Sequence, residues 1–275
     1  MDRQFTHYLI TRYNVPLEGW HVDRSGISTR DVTWLRHRQL LFEAYCVPTI
    51  RAQSEKNFTW LIYCDKETPE SHLAAINKVV APITQAKVRL VGDYFECMSD
   101  IDQQLTSSET LFVITSRVDN DDGLGIHYIK TIQSHFMAED KLIINLLHGN
   151  GYNVPKQVAT ILKNIRNNHF GTLIEFRNSN GGHISVRGFQ HGNPPSNFRV
   201  VNVQESNSWI KIFHERNLKS SAFGYPLLDP NLNQLFGIDK IHMPIHHLNT
   251  IIYFFWWLQD GIRRKAFSTK KKNKK

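Results

Sequence analysis

An apolar run, Leu111 to Thr115, leads into three carboxylates within four residues, Asp119, Asp121 and Asp122, in the stretch Thr115-Ser116-Arg117-Val118-Asp119-Asn120-Asp121-Asp122-Gly123. Large and β-branched apolar side chains predict a buried strand. Open α/β sheets bind ligands at such strand ends. Three acids packed there repel one another and resist joint ionisation. A hard divalent cation relieves that cost, because Mg²⁺ or Mn²⁺ takes oxygen ligands from one or two carboxylates together with substrate phosphates. The competing reading is a solvated acidic turn. A calcium loop starting at Asp119 is excluded, since it needs Gly at its sixth position and Glu at its twelfth, where Leu124 and Lys130 stand.

The rest of the chain supplies the context for a strand-end site. Phe5 to Thr11, Phe58 to Cys64, Val88 to Val91 and Leu111 to Thr115 read as strands. Between them, helices are expected from Asp31 to Gln53 with a break or bend at Pro48, from Pro69 to about Val80, and over Asp100 to Leu105. This alternation predicts a parallel βαβ sheet with right-handed crossovers. A loop is expected over residues 17–30, with Gly19, Ser25 and Gly26. After Asp122 a helix to about Ala138 is expected, then a strand over Lys141 to Leu147 and a turn at His148-Gly149-Asn150-Gly151. Val154 to Arg166 reads as irregular or helical. Short strands follow at Thr172 to Phe176, His183 to Arg187 and Ser208 to Phe213, with a loop over 188–198. Residues 224–245 give no clear periodicity, and Asn249 to Leu258 begins an aromatic amphipathic helix.

At 275 residues and 41% hydrophobic, the chain can bury a sizeable core. The net charge of +8 is uneven. Residues 261–275 carry eight Lys or Arg and no acid, which leaves basic and acidic counts equal over residues 1–260. Cys46, Cys64 and Cys97 have no metal spacing and fit buried thiols in a reducing compartment. Met1-Asp2-Arg3-Gln4 lacks the pattern of a secretory leader, and Ile251 to Leu258 is too short to span a bilayer. A cytoplasmic protein is expected. Its aromatic helix and basic tail resemble an interfacial anchor for anionic lipid, against the plainer reading of a core helix with a solvated tail.

Several side chains are candidates for chemistry. Asp119 and Asp121 share a face if the strand continues, while Asp122 turns the chain or binds the metal. Arg12, at the end of the first strand, can clamp a diphosphate. Asp65, closing the second, can accept from a base or ribose, or can cap the following helix. Arg117 lies two residues before Asp119 on the same face and can pair with the acids. His214 follows a strand and suits a transition metal. Glu175, among apolar neighbours that raise its pKa, is the favoured general base.

These pieces resemble a bacterial rhamnosyltransferase family. The resemblance is carried by Thr11-Arg12-Tyr13-Asn14-Val15-Pro16, Trp34-Leu35-Arg36-His37-Arg38, Tyr45-Cys46-Val47-Pro48-Thr49-Ile50-Arg51-Ala52-Gln53, Phe58 to Asp65, Thr115 to Asp122, and Trp209 to His214 with Arg216-Asn217. It covers roughly residues 5–220. It implies a GT-A-like fold: a Rossmann-type, mostly parallel sheet with helices on both faces and a smaller, mixed acceptor-binding half. The nucleotide-sugar-binding half would span about 1–125, the acceptor half 126–248, the aromatic helix 249–260 and the basic tail 261–275. The activity implied is transfer of a sugar, rhamnose among the candidates, from a nucleotide-diphosphate sugar to a surface-glycan or lipid-linked acceptor. Arg12, Asp65, Arg117, Asp119 and Asn120 are expected at the nucleotide-sugar. Asp119, Asp121, Asp122 and His214 are expected at Mn²⁺ or Mg²⁺. The alternative is a non-catalytic glycan- or nucleic-acid-binding protein using the basic tail. No reading helix or stacking sheet motif accompanies that tail, and the neutral body argues against nucleic acid.

Overall fold

The structure, a computed structural model, describes residues 4–17, 26–28, 30–166, 168–189, 193–216, 223–227 and 231–272, the last stretch as backbone only from 260. Gly19 and Ser25 of the expected loop, Asn217, and the side chains of the basic tail lie outside the described residues.

The first half follows the expected alternation. Strand β1 (Phe5–Arg12) leads to α1 (Val32–Leu41), which Asp31 caps by accepting from the Thr33 N–H. The helix does not stop at Pro48. It widens into a π-helical turn (Phe42–Cys46) and resumes as α2 (Val47–Arg51), so that Pro48 falls in a first helical turn, where its missing N–H costs least. Then come β2 (Thr59–Asp65), α3 (Glu70–Val80), β3 (Ala86–Val91), α4 (Tyr94–Thr106) and β4 (Phe112–Arg117). Helix α4 starts earlier than its apolar spacing suggests, because Asp93 accepts from the Glu96 N–H and caps it.

The second half departs more. It holds β5 (Gly123–Leu124), α5 (Tyr128–Ser134), β6 (Leu142–Leu146), β7 (Gly149–Asn153), β8 (Val158–Leu162), β9 (Thr172–Phe176), β10 (Arg199–Val203), β11 (Trp209–Phe213), β12 (Tyr225–Pro226), α6 (Leu232–Phe236) and α7 (His247–Lys272). The stretch expected to turn at Gly149 and Gly151 is instead a strand. A Cβ at Gly149 would sit 2.2 Å from the Trp209 ring, and one at Gly151 would sit 2.6 Å from Thr160 Oγ1. These glycines let neighbouring strands carry large side chains close to the backbone. Val158 to Leu162, read as irregular or helical, pairs with β7. His183 to Arg187, whose alternation imitates a strand, is a loop with Ser185 at φ 55°.

The strands form two sheets. The larger has the order β10-β6-β9-β4-β1-β2-β3, with β9 alone antiparallel. The smaller, β12-β8-β7-β11-β5, is mixed. Helices cover both faces of the large sheet, as expected. On one face Leu9, Ile62 and Ile114 pack with Phe42, Ile50 and Ile76. On the other, Ile10, Leu61 and Val113 pack with Cys97, Ile101 and Leu105 of α4. The small sheet presents Tyr152, Ala159 and Ile210 to Leu41, Tyr45 and Phe236. All three cysteines are buried free thiols.

Candidate active site at the carboxyl ends of β1 and β4

Strand β1 pairs with β2 on one side and β4 on the other, so chain order reverses at the β1–β4 junction. A crevice opens at such a switch point. Arg12, Tyr13 and Asn14 leave β1 there, and Asp119 to Asp122 leave β4. The acidic turn is fixed from behind by α2. Thr49 Oγ1 accepts from Leu124 N at 3.2 Å, and Gln53 Nε2 donates to the Gly125 carbonyl at 2.8 Å.

Each acid meets its own counter-charge. Asp119 Oδ1 faces Arg187 Nη1 at 3.3 Å. Burial works against its ionisation, yet the charges of Arg187, His169, Arg117 and Arg12 outweigh that and hold it well below the usual carboxylate range. Asp121 is buried and takes both the Arg38 guanidinium and His214 Nε2, the latter at 2.9 Å. Here too burial is overcome, chiefly by Arg38, and the carboxyl is strongly acidic. Asp122, 2% exposed, accepts from Ile212 N at 2.8 Å and lies 2.6 Å from His169 Nε2, with Lys211 Nζ at 4.0 Å. Asn120 ties the β1 exit to α1, donating to the Tyr13 carbonyl at 2.7 Å and accepting from Arg38 at 3.3 Å.

The tautomer of His214 follows from its neighbours. Its Nδ1 accepts the Arg216 backbone N–H at 3.2 Å, so Nε2 carries the proton and donates to Asp121. In that state Nε2 has no lone pair for a metal. Asp121 and His214 are thus tied to each other and to Arg38. A different set gathers donor atoms: those of Asp119, Asp122 and His169 all lie within 4.8 Å of one another. Asp119 keeps 39% of its side chain open, and two carboxylates with one imidazole suit Mn²⁺ or Mg²⁺ once His169 Nε2 gives up the proton it shares with Asp122 Oδ2. A second set, His37, His214 and Glu215, meets the same spacing but offers two imidazoles and one carboxylate, a poorer match to a hard cation than two carboxylates.

The remaining expected residues are dispersed around this centre. Asp65, 1% exposed, holds Arg30 Nε at 2.9 Å and accepts from Glu67 N at 3.0 Å, while its own N–H is bound by Asn14 Oδ1. It therefore shapes the β2 exit beside Asn14. Arg12 lies near Asp119 and Arg187; burial first, and then Arg187, lower its pKa. Arg117 donates from Nε to the His169 carbonyl at 2.6 Å, fixing the segment that brings His169 to Asp122.

Glu175 is not brought to the acids. It pairs with Val113 near the start of β4, and its two oxygens accept from Ile184 N at 2.8 Å and Ser185 N at 2.9 Å. Burial raises its pKa against those bonds, which lower it. With Asp102, which accepts from Gly182 N and His183 N, and Thr115 Oγ1, which accepts from Val186 N, Glu175 suspends the loop that delivers Arg187 to Asp119. Arg38, His169 and Arg187 are absent from the sequence-based site. Arg38 stands inside one of the quoted motifs, whereas His169 and Arg187 carry no local signal.

The chain matches the family described as "Putative rhamnosyl transferase" over residues 9–224. No curated protein sequence matches it. Among solved structures, TarS 1–349 from S. aureus shares 13% identity at a TM-score of 0.41; the match covers 75% of this chain and 60% of that one. The same TarS segment in complex with UDP-GlcNAc matches at 12% identity and a TM-score of 0.41, covering 92% and 71%. HddC from Yersinia pseudotuberculosis matches at 12% identity and a TM-score of 0.36, covering 73% and 91%.

The bonding of Glu175 yields a prediction. Glu175→Gln leaves one loop N–H facing an amide instead of a carboxylate oxygen, and should cost about 1–3 kcal/mol in urea unfolding. Unchanged stability with lost turnover would instead make Glu175 a general base.

Proposed function

We propose that this chain, which belongs to the "Putative rhamnosyl transferase" family, moves a sugar from a nucleotide-diphosphate donor to a glycan hydroxyl in a GT-A-type arrangement. Rhamnose is the sugar that the family description names. The observation that carries this reading is the cluster at the switch point: three acids set among Arg12, Arg38, Arg117, Arg187 and Lys211. The nucleotide would lie over the β1 and β2 exits near Asn14 and Asp65, with its diphosphate at Asp119 to Asp122.

In glycosyl transfer the bond between the anomeric carbon and the diphosphate oxygen breaks, and the diphosphate leaves with the electron pair. Negative charge grows on the leaving oxygens. Arg12, Arg187 and Lys211 are already ordered around that position, so they stabilise the charge without reorganising. Arg38 and His214 hold Asp121 ionised and immobile, and Asn120 keeps the β1 and β4 exits in register. Asp119, Asp122 and His169 would hold Mn²⁺ or Mg²⁺, which when bound supplies Lewis-acid neutralisation of the diphosphate.

Contact with an anionic membrane belongs to the same reading. Leu248, Ile251, Ile252 and Phe255 follow helical spacing along α7 and are all exposed. The sequence then adds the basic run 261–275. No helix, among the described residues, is long and apolar enough to cross a membrane. An apolar stripe beside a basic arm fits an interfacial helix. A groove of about 700 Å³ joins His214 and Glu215 to Ile252, Tyr253 and Trp256, so a bilayer under α7 would hold the site close to lipid-linked acceptors.

The donor reading is tested by thermal shift with UDP, dTDP and GDP. One of them, with Mn²⁺ or Mg²⁺, should raise Tm by roughly 5 °C at about 100-fold excess over Kd. Asp119→Asn should lose that increment relative to its own unliganded Tm, which should itself fall because Arg187 loses its counter-charge. An equal rise in EDTA would assign the diphosphate to the guanidiniums alone, and no rise with any nucleotide would refute the reading. For the membrane, the chain should co-sediment with phosphatidylglycerol vesicles but not with phosphatidylcholine vesicles, and the Ile251→Ser/Phe255→Ser double variant should remain in the supernatant. Equal sedimentation of wild type and variant would remove α7 as the anchor.

A further inference from the structure

On the opposite side of Asp119 from Asn14 and Asp65, a cavity of about 190 Å³ opens at the carboxyl ends of β4, β6 and β10. Arg117, Asn145, Arg166, Asn168 and Asn202 supply its polar lining, and Phe189 an aromatic wall. None of its described lining residues is acidic. Its carboxamides form a relay: Asn168 Nδ2 donates to Asn145 Oδ1 at 2.7 Å, and Asn145 Nδ2 donates to Asn202 Oδ1 at 2.9 Å. Asn168 also donates to the carbonyls of Leu146 and Ile165, so the polar wall is ordered before any ligand arrives.

This chemistry differs from that of the acidic turn. Arg117 is 8% exposed and lines this wall together with Arg166. Arginine forks favour planar carboxylates and phosphates, the carboxamide oxygens keep a second lone pair for sugar hydroxyls, and an aromatic wall suits the apolar face of a pyranose ring. The volume is small for a nucleotide and suits one monosaccharide unit.

We infer that this cavity is the acceptor subsite and that it takes an anionic sugar unit, bearing a carboxylate or a phosphate ester, against Arg117 and Arg166. The inference rests on the reading of Asp119 to Asp122 as the diphosphate site, which places the acceptor beyond the acids from the nucleotide.

Titration calorimetry on the full chain tests it with glucose, glucuronate, glucose 6-phosphate and inorganic phosphate as probes. At least one anionic sugar should bind about tenfold or more tighter than glucose. The better of the two identifies the anion as carboxylate or phosphate. Arg166→Gln removes an exposed guanidinium whose loss should not disturb the fold, and should erase the preference. Lys163→Gln, an exposed charge of the same segment outside the cavity, should leave it intact. Nucleoside-diphosphate binding should persist in both variants. Equal binding of glucose and the anionic sugars, binding of none of them, phosphate binding as tightly as the best anionic sugar, a preference that survives Arg166→Gln, or displacement of the sugar by the nucleoside diphosphate would each overturn the subsite. Nucleotide binding that persists in those cases would leave the donor reading standing, whereas its absence from the wild type would overturn the donor reading itself.

Discussion

Three carboxylates cannot share the end of one strand unless something cancels their repulsion, and in this protein distant segments do so. Arg38 comes from α1, His169 from the segment before β9, Arg187 from the loop after β9, and His214 from the exit of β11. Each is delivered by its own scaffold. The Arg187 loop hangs from Asp102, Thr115 and Glu175, and the His169 segment is tied to Arg117. The two halves of the chain are therefore joined electrostatically where the crevice opens, and neither half builds the site alone.

This division gives the three acids different duties. Asp121 is saturated by Arg38 and His214 and behaves as a structural anchor. Asp119 is partly open and Asp122 lies beside it, so these two, with His169, remain able to meet a cation. Strand alternation grouped Asp119 with Asp121, but the turn that begins at Asp122, where its N–H returns to the Asp119 carbonyl at 3.2 Å, regroups them.

The first half of the fold was legible because its strands and helices carry unambiguous periods and its sheet is buried on both faces. The acids, Arg12 and Asp65 were legible because each ends a strand. What the sequence hid was long-range. Alternation in His183 to Arg187 looks like a strand, yet two carboxylates and a hydroxyl from other elements capture its N–H groups. Gly149 and Gly151 look like a turn until Trp209 and Thr160 need their missing side chains. Glu175 had the apolar setting of a raised-pKa base, but its oxygens were committed to loop N–H groups that only the fold brings near. His169 and Arg187 acquire meaning only once their partners are in place.

Anomalous diffraction from crystals soaked with Mn²⁺ and the nucleoside diphosphate that stabilises the protein most would locate the cation among the acids. A single Mn²⁺ peak bound by Asp119, Asp122 and His169 is expected, with the diphosphate as a further ligand and Asp121 still paired to Arg38. A diphosphate bound elsewhere, or Mn²⁺ on Asp121 and His214 with Arg38 displaced, would contradict it.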